Sequence, residues 1–192
     1  MLRRSAHALA RDQRGVAAVE FALLAPLMVM VYFGVAELTD GLMTSRKVSH
    51  VASAIGDLTA QSSSTTPAQL TDIFNVGQQL MQPSVTTSGT FKLRLTSVTV
   101  DSSNVPRVDW SQASSGDTAL AKGAAVTLPL AAKAAPTDPD TPFITKGQSV
   151  VMAEAHYTFA SPVARYLPQT SDLHDTLYLM PRSGVAIACP TC

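Results

Sequence analysis

The sequence predicts an α+β protein. A long N-terminal helix crosses a membrane and continues into a C-terminal head, which adds a second helix and an antiparallel sheet of about five strands. Three observations predict this. Residues 21–36 read FALLAPLMVMVYFGVA, without a charge. Beyond them, apolar residues recur at three- and four-residue spacing as far as residue 58. From residue 90 onward the apolar spacing changes to two. Helices first and strands afterwards is an α+β order.

The apolar run, extended back to residue 16, is long enough to span. A bilayer core of ~30 Å needs about 20 apolar helical residues. Ahead of it lie Arg3, Arg4, Arg11 and Arg14 against one Asp12. A basic flank stays on the cytoplasmic side, which places the C-terminal bulk across the membrane. Pro26 lies inside the run, where a membrane helix tolerates it and often kinks. Gly34 and Ala36 are small enough for close helix contact.

Past the span, Leu38, Leu42, Val48, Val51, Ala52, Ile55 and Leu58 form one face of an amphipathic helix. His50 falls at the edge of that face and reads as a surface residue. Residues 62–66 are a linker. Thr66-Pro67 starts a second helix, with Thr as N-cap and Pro in the first turn. Leu70, Ile73, Phe74, Leu80 and Met81 give its apolar face, and Pro83 stops it.

Phe91, Leu93 and Leu95 alternate, and Val98 and Val100 alternate in the other phase. That slip at Thr96-Ser97 predicts a β-bulge. After a turn at 101–104, Val108 and Trp110 mark a second strand. Residues 126–130 mark a third, at an edge because of Pro129. Residues 131–147 read as an exposed connection. The strongest strand is 149–159. A loop covers 161–170, a strand 173–180 and a short tail strand 185–188. The boundaries expected are a leader over 1–15, the N-terminal helix over 16–61 and the head over 62–192.

Glu20 is the one charge between residues 16 and 36. A carboxylate within a membrane helix costs on the order of 3 kcal/mol or more, so it needs a partner or a role. Just ahead stand Gly15 and the basic leader. A basic leader, Gly15, four small or apolar residues, then Glu20-Phe21 resembles the prepilin-peptidase site of type IV pilin-like proteins. Within that group the chain resembles the TadE-like family, the TadE/TadG-like pseudopilins of the Tad (Flp) pilus assembly system. Residues 32–38, YFGVAEL, are similar to that family's aromatic-Gly-x-x-Glu segment. The resemblance is specific over 11–61 and looser over 90–188, where Tyr178-Leu179-Met180-Pro181-Arg182 resembles a last strand of such heads.

The resemblance implies cleavage between Gly15 and Val16. Glu20 would then become the fifth residue of the mature chain and pair with the new α-amino group of a neighbouring subunit. It also implies an inner-membrane protein with its N-terminus cytoplasmic and its head periplasmic. Its partners would be the membrane, the prepilin peptidase and other pilin-like subunits. Two other readings compete. In a cleaved Sec signal, Gly34-Val35-Ala36 would be the processing site, but a Glu in the hydrophobic region and a run longer than 7–15 residues argue against it. In a plain signal anchor, Glu20 is a tolerated charge and the head is an uncleaved periplasmic binding domain. Glu37, in either case, reads as marking the membrane exit.

Composition narrows the function classes. Charged residues are 15% and the formal net charge is zero, so no basic surface points to nucleic acid. No Gly-rich phosphate loop occurs. Glu154 and His156 share a strand face, and His174 and Asp175 lie on a strand that could neighbour it. Such residue types hold metals, but solvated polar residues on a sheet face are commoner, so neither metal nor cofactor is expected. No Gly-x-Ser-x-Gly elbow accompanies the histidines, and no enzyme is expected. Cys189 and Cys192 form a C-x-x-C at the end of the sequence. With no helix after it to lower a thiol pKa, a structural bridge is expected rather than a redox centre.

Overall fold

The computed structural model describes residues 15–84, 90–128, 144–160 and 170–192. The basic leader over 1–14 lies outside them, as do Pro129 and most of the two predicted connections at 131–147 and 161–170. The elements in order are helix α1 (Val16–Ala60), helix α2 (Pro67–Leu80) and strands β1 (Phe91–Val100), β2 (Pro106–Ala113), β3 (Ser149–Ala160) and β4 (Thr170–Leu179). The strands form one antiparallel sheet in the order β2-β1-β3-β4. The α+β class is as expected, with four strands where about five were expected. The chain divides into two compact units at residues 40 and 41.

The first unit is the apolar part of α1. The helix runs through Pro26 without a break.

In the second unit the rest of α1 and all of α2 cover one face of the sheet. The buried stripe of α1 is Thr44, Val48, Val51, Ala52, Ile55, Gly56, Thr59 and Ala60. Leu38, Leu42 and Leu58, expected on this stripe, are instead 64%, 57% and 40% exposed. Leu38 and Leu42 precede the first buried turn, and Leu58 lies off the stripe. Small and polar residues replace them because the helix packs closely on the sheet. Thr59 is buried at no loss because its Oγ1 donates to the Ile55 carbonyl at 2.7 Å.

Helix α2 begins as its sequence dictates. Thr66 Oγ1 accepts from the Gln69 amide, and the Gln69 side chain accepts from the Thr66 amide, closing a capping box with Pro67 in the first turn. Leu70, Phe74 and Gly77 are its buried residues. A Cβ at Gly77 would lie 2.7 Å from Leu93 Cδ1, 3.1 Å from Ile55 Cγ2 and 3.2 Å from Val51 Cγ1. Ile55 and Val51 are stiff at χ1 and fully buried, so they cannot swing aside. Gly77→Ala should therefore destabilise the head by about 1–3 kcal/mol from overpacking, despite a helix-propensity gain of about 1 kcal/mol. Chemical denaturation measures the balance; a stabilised variant would show that the two helices separate readily.

The main core joins Val48, Val51, Ile55, Leu70 and Phe74 of the helices to Leu93, Leu95, Trp110, Val151 and Tyr157 of the sheet. Val98 and Val100 lie on the opposite face, in a smaller cluster with Ile144 and Val150. This second cluster explains the phase change in β1. The β1–β3 register runs unbroken from Phe91↔Tyr157 to Thr99↔Ser149, so β1 itself carries no bulge. The irregularity is in β2. Ser97 pairs with Trp110 and Val98 with Val108, which leaves Asp109 as the extra residue. Its carboxylate accepts from Ser97 Oγ at 3.0 Å and Thr99 Oγ1 at 2.6 Å.

Where strands were expected at 126–130 and 185–188, the described residues form isolated bridges: Ala125, just ahead of the first, bridges Arg107, and Ala188 bridges Ser64 in parallel. The tail still belongs to the core through Ile187 and Cys189. Arg182 holds the end of α1: its amide donates to the Ala60 carbonyl and its guanidinium to Asp57. That hydrogen bond holds the Asp57 carboxyl below its ordinary pKa.

Candidate functional site

The N-terminal turn of α1 positions the residues singled out above. The Val19 amide donates to the Gly15 carbonyl at 3.1 Å, so the helix closes its first bond on Gly15, and Val16 is its first residue. Val16 and Glu20 are four apart and therefore lie on one face. Glu20 is exposed. Among the described residues it has no hydrogen bond or ion pair.

Around and beyond it, the apolar side chains are exposed in every direction. Phe21, Leu23, Met30 and Tyr32 are each more than 70% exposed. A helix that is hydrophobic all round belongs in a core or a membrane. No part of this helix's most apolar window is buried in the protein, which suits a single-pass membrane anchor. Among the described residues α1 is the one helix long and apolar enough to cross. Its 45 residues are roughly twice the ~20 that a bilayer core needs.

The chemistry weighed for the head resolves differently. His156 of β3 pairs with His174 of β4, and their rings stack at 5.6 Å and 14°. Glu154 is not beside them as a ligand. It receives Arg94 of β1 in a two-pronged ion pair, Nε to Oε2 at 2.6 Å and Nη2 to Oε1 at 2.7 Å. Those bonds raise the Arg94 pKa against the opposing effect of burial. Asp175 pairs with Ala155 and so lies on the sheet's other face. Among the described residues no three His, Cys, Asp or Glu side chains are grouped to hold a metal. Cys189 and Cys192 form a disulfide at the edge of the core, and no thiol is free.

Sequence reasoning missed Lys92 and Arg94. They alternate with Phe91, Leu93 and Leu95, and in a β-strand that already places them on the face away from the helices. What it could not supply is the register that sets them opposite His156 and Glu154.

Comparison with known proteins bears on α1 alone. Residues 15–56 match the family model of the TadE-like protein. The TadE-like match opens on Gly15 and ends on Gly56, inside the 11–61 segment that carried the specific resemblance. The strands, and with them the looser resemblance over 90–188, lie outside it. The match is a likeness of residues 15–56, less than a quarter of the chain, to TadE-like proteins. No curated protein and no solved structure matches the chain.

Proposed function

We propose that this protein is a minor pilin-like subunit of a Tad-type pilus machine. It is held in the inner membrane by α1 and acts by assembly. The observation that carries this reading is the start of α1. A helix with exposed apolar surface on all sides begins at Gly15-Val16 and carries a lone carboxylate one turn later, within the TadE-like match. The leader is cut after Gly15 by the prepilin peptidase, with the N-terminus in the cytoplasm and the head in the periplasm. The new amine of Val16 and Glu20 of a neighbouring subunit then pair. At low dielectric each charge offsets the other's desolvation.

A second reading, an uncleaved anchor carrying a periplasmic binding domain, is favoured by the polar depression on the sheet face away from the helices. The mass of the mature protein separates the two. A pilin-like subunit begins at Val16, and an anchor retains the leader. Gly15→Phe should leave the protein in the membrane with its leader attached, because Gly15 contributes nothing to the span. A normal mature mass for that variant would remove the pilin-like reading.

A further inference from the structure

The disulfide at the edge of the core joins a buried cysteine to an exposed one. Cys189 is 9% exposed and packs in the main core, whereas Cys192 is exposed. What holds Cys189 in place is not the bridge. Two residues earlier Ile187 is buried, and the adjacent Ala188 exchanges backbone hydrogen bonds with Ser63 and Thr65. The bridge itself closes a single turn. The Cys192 amide donates to the Cys189 carbonyl at 3.4 Å, and the two Cα atoms are 5.4 Å apart, within the span of a β-turn. Pro190 stands at the second position of that turn, where its fixed φ suits the bend. Four consecutive residues therefore bring the two sulfurs together. We propose that this bridge is a reversible thiol-exchange site, at which an external thiolate attacks Cys192 and Cys189 is the resolving thiol.

The stabilisation that a disulfide gives a fold and the protection that the fold gives the disulfide are one coupling energy read from two sides. Across a sequence separation of 3, the entropy that the bridge removes from the unfolded chain is small. The fold in turn does little to keep the bridge oxidised, which is the character of exchangeable disulfides and not of structural ones. Access then decides which sulfur reacts, and the exposed residue is Cys192. A new S–S bond forms between the external sulfur and Cys192 Sγ as the old bond breaks. The electron pair leaves on Cys189 Sγ, which takes a proton from solvent. Held by Ile187 and Ala188, Cys189 stays beside Cys192 and reverses the step by expelling the external thiolate. A second external thiolate completes the reduction instead. It attacks the external sulfur of the mixed disulfide and frees Cys192 as a thiol. Two external thiols are then oxidised to one disulfide, and the bridge is reduced to two thiols.

The test is equilibration of the full-length protein, in neutral maltoside micelles, with buffers of reduced and oxidised glutathione. Free thiols are then alkylated and counted by mass. The same series is run in urea concentrated enough to unfold the head. The expected result is that the equilibrium constant for reduction differs less than tenfold between the folded and unfolded protein. A folded bridge that resists reduction tenfold or more would be a structural one and would overturn the proposal. Single variants assign the sulfurs. With glutathione disulfide, Cys189→Ala should gain one glutathione on Cys192 at least tenfold faster than Cys192→Ala gains one on Cys189. Rates closer than tenfold would show that access does not direct the attack, and would overturn the assignment of Cys192.

Discussion

Glu20→Ala is expected to stop pilus assembly while leaving membrane level and leader cleavage near normal. Removing a charge from the apolar segment lowers the cost of insertion, so the anchor itself is unharmed or improved. Topology holds because the leader arginines set it. On the proposed pairing, however, the Val16 amine of the neighbouring subunit loses its counter-charge in an apolar setting. Removing one partner of a buried pair typically costs about 3–5 kcal/mol. A loss of that size falls on every subunit contact that uses the pair. Glu20→Gln should fail almost as badly, since the amide keeps the shape and loses the charge. A pilus-formation assay beside a membrane-fraction blot reads both variants. Normal pili from both would make Glu20 a tolerated charge and favour the plain anchor. Failure of both to accumulate would assign Glu20 to folding or insertion instead.

What the sequence made legible follows from how local each signal is. The two helices were readable because their signals lie within a few residues. The uncharged run after Glu20 gave the span, and Thr66-Pro67 with Gln69 gave a cap that the structure closes. The α2 anchors Leu70 and Phe74 follow from the helical period. The strands were readable as elements because Phe91, Leu93 and Leu95 alternate. Their pairing was not, since register is a long-range property. The phase change at Val98 looked local and was read as a bulge in β1, but its cause is a second cluster completed by Ile144 and Val150, far along the chain. The same limit hid the Arg94–Glu154 pair, whose partners are 60 residues apart. Leu38 and Leu42 were misplaced for a different reason. Periodicity finds a helix face but cannot say where along the helix its packing partner begins.

The C-terminal tail supplies the second large effect, and it separates two ways a tail can matter. Ile187 is 1% exposed within the main core. Its carbonyl accepts the Trp110 indole N–H at 2.7 Å, and the adjacent Ala188 exchanges hydrogen bonds with Ser63 and Thr65 in the linker between the helices. The tail thus ties β2 to the junction of α1 and α2. Ile187→Ala should cost about 2–5 kcal/mol, the range for emptying a packed aliphatic site. The disulfide two residues on should matter far less. It joins Cys189 to Cys192 across a sequence separation of 3, and the entropy removed from the unfolded chain shrinks with loop length. Replacing both cysteines by alanine should therefore lower the head's melting temperature much less than Ile187→Ala does. Thermal unfolding of the two variants side by side makes the comparison. If the cysteine variant falls as far as Ile187→Ala, the bridge and not the buried side chain holds the tail in place. If Ile187→Ala is neutral, the tail adds nothing to the core.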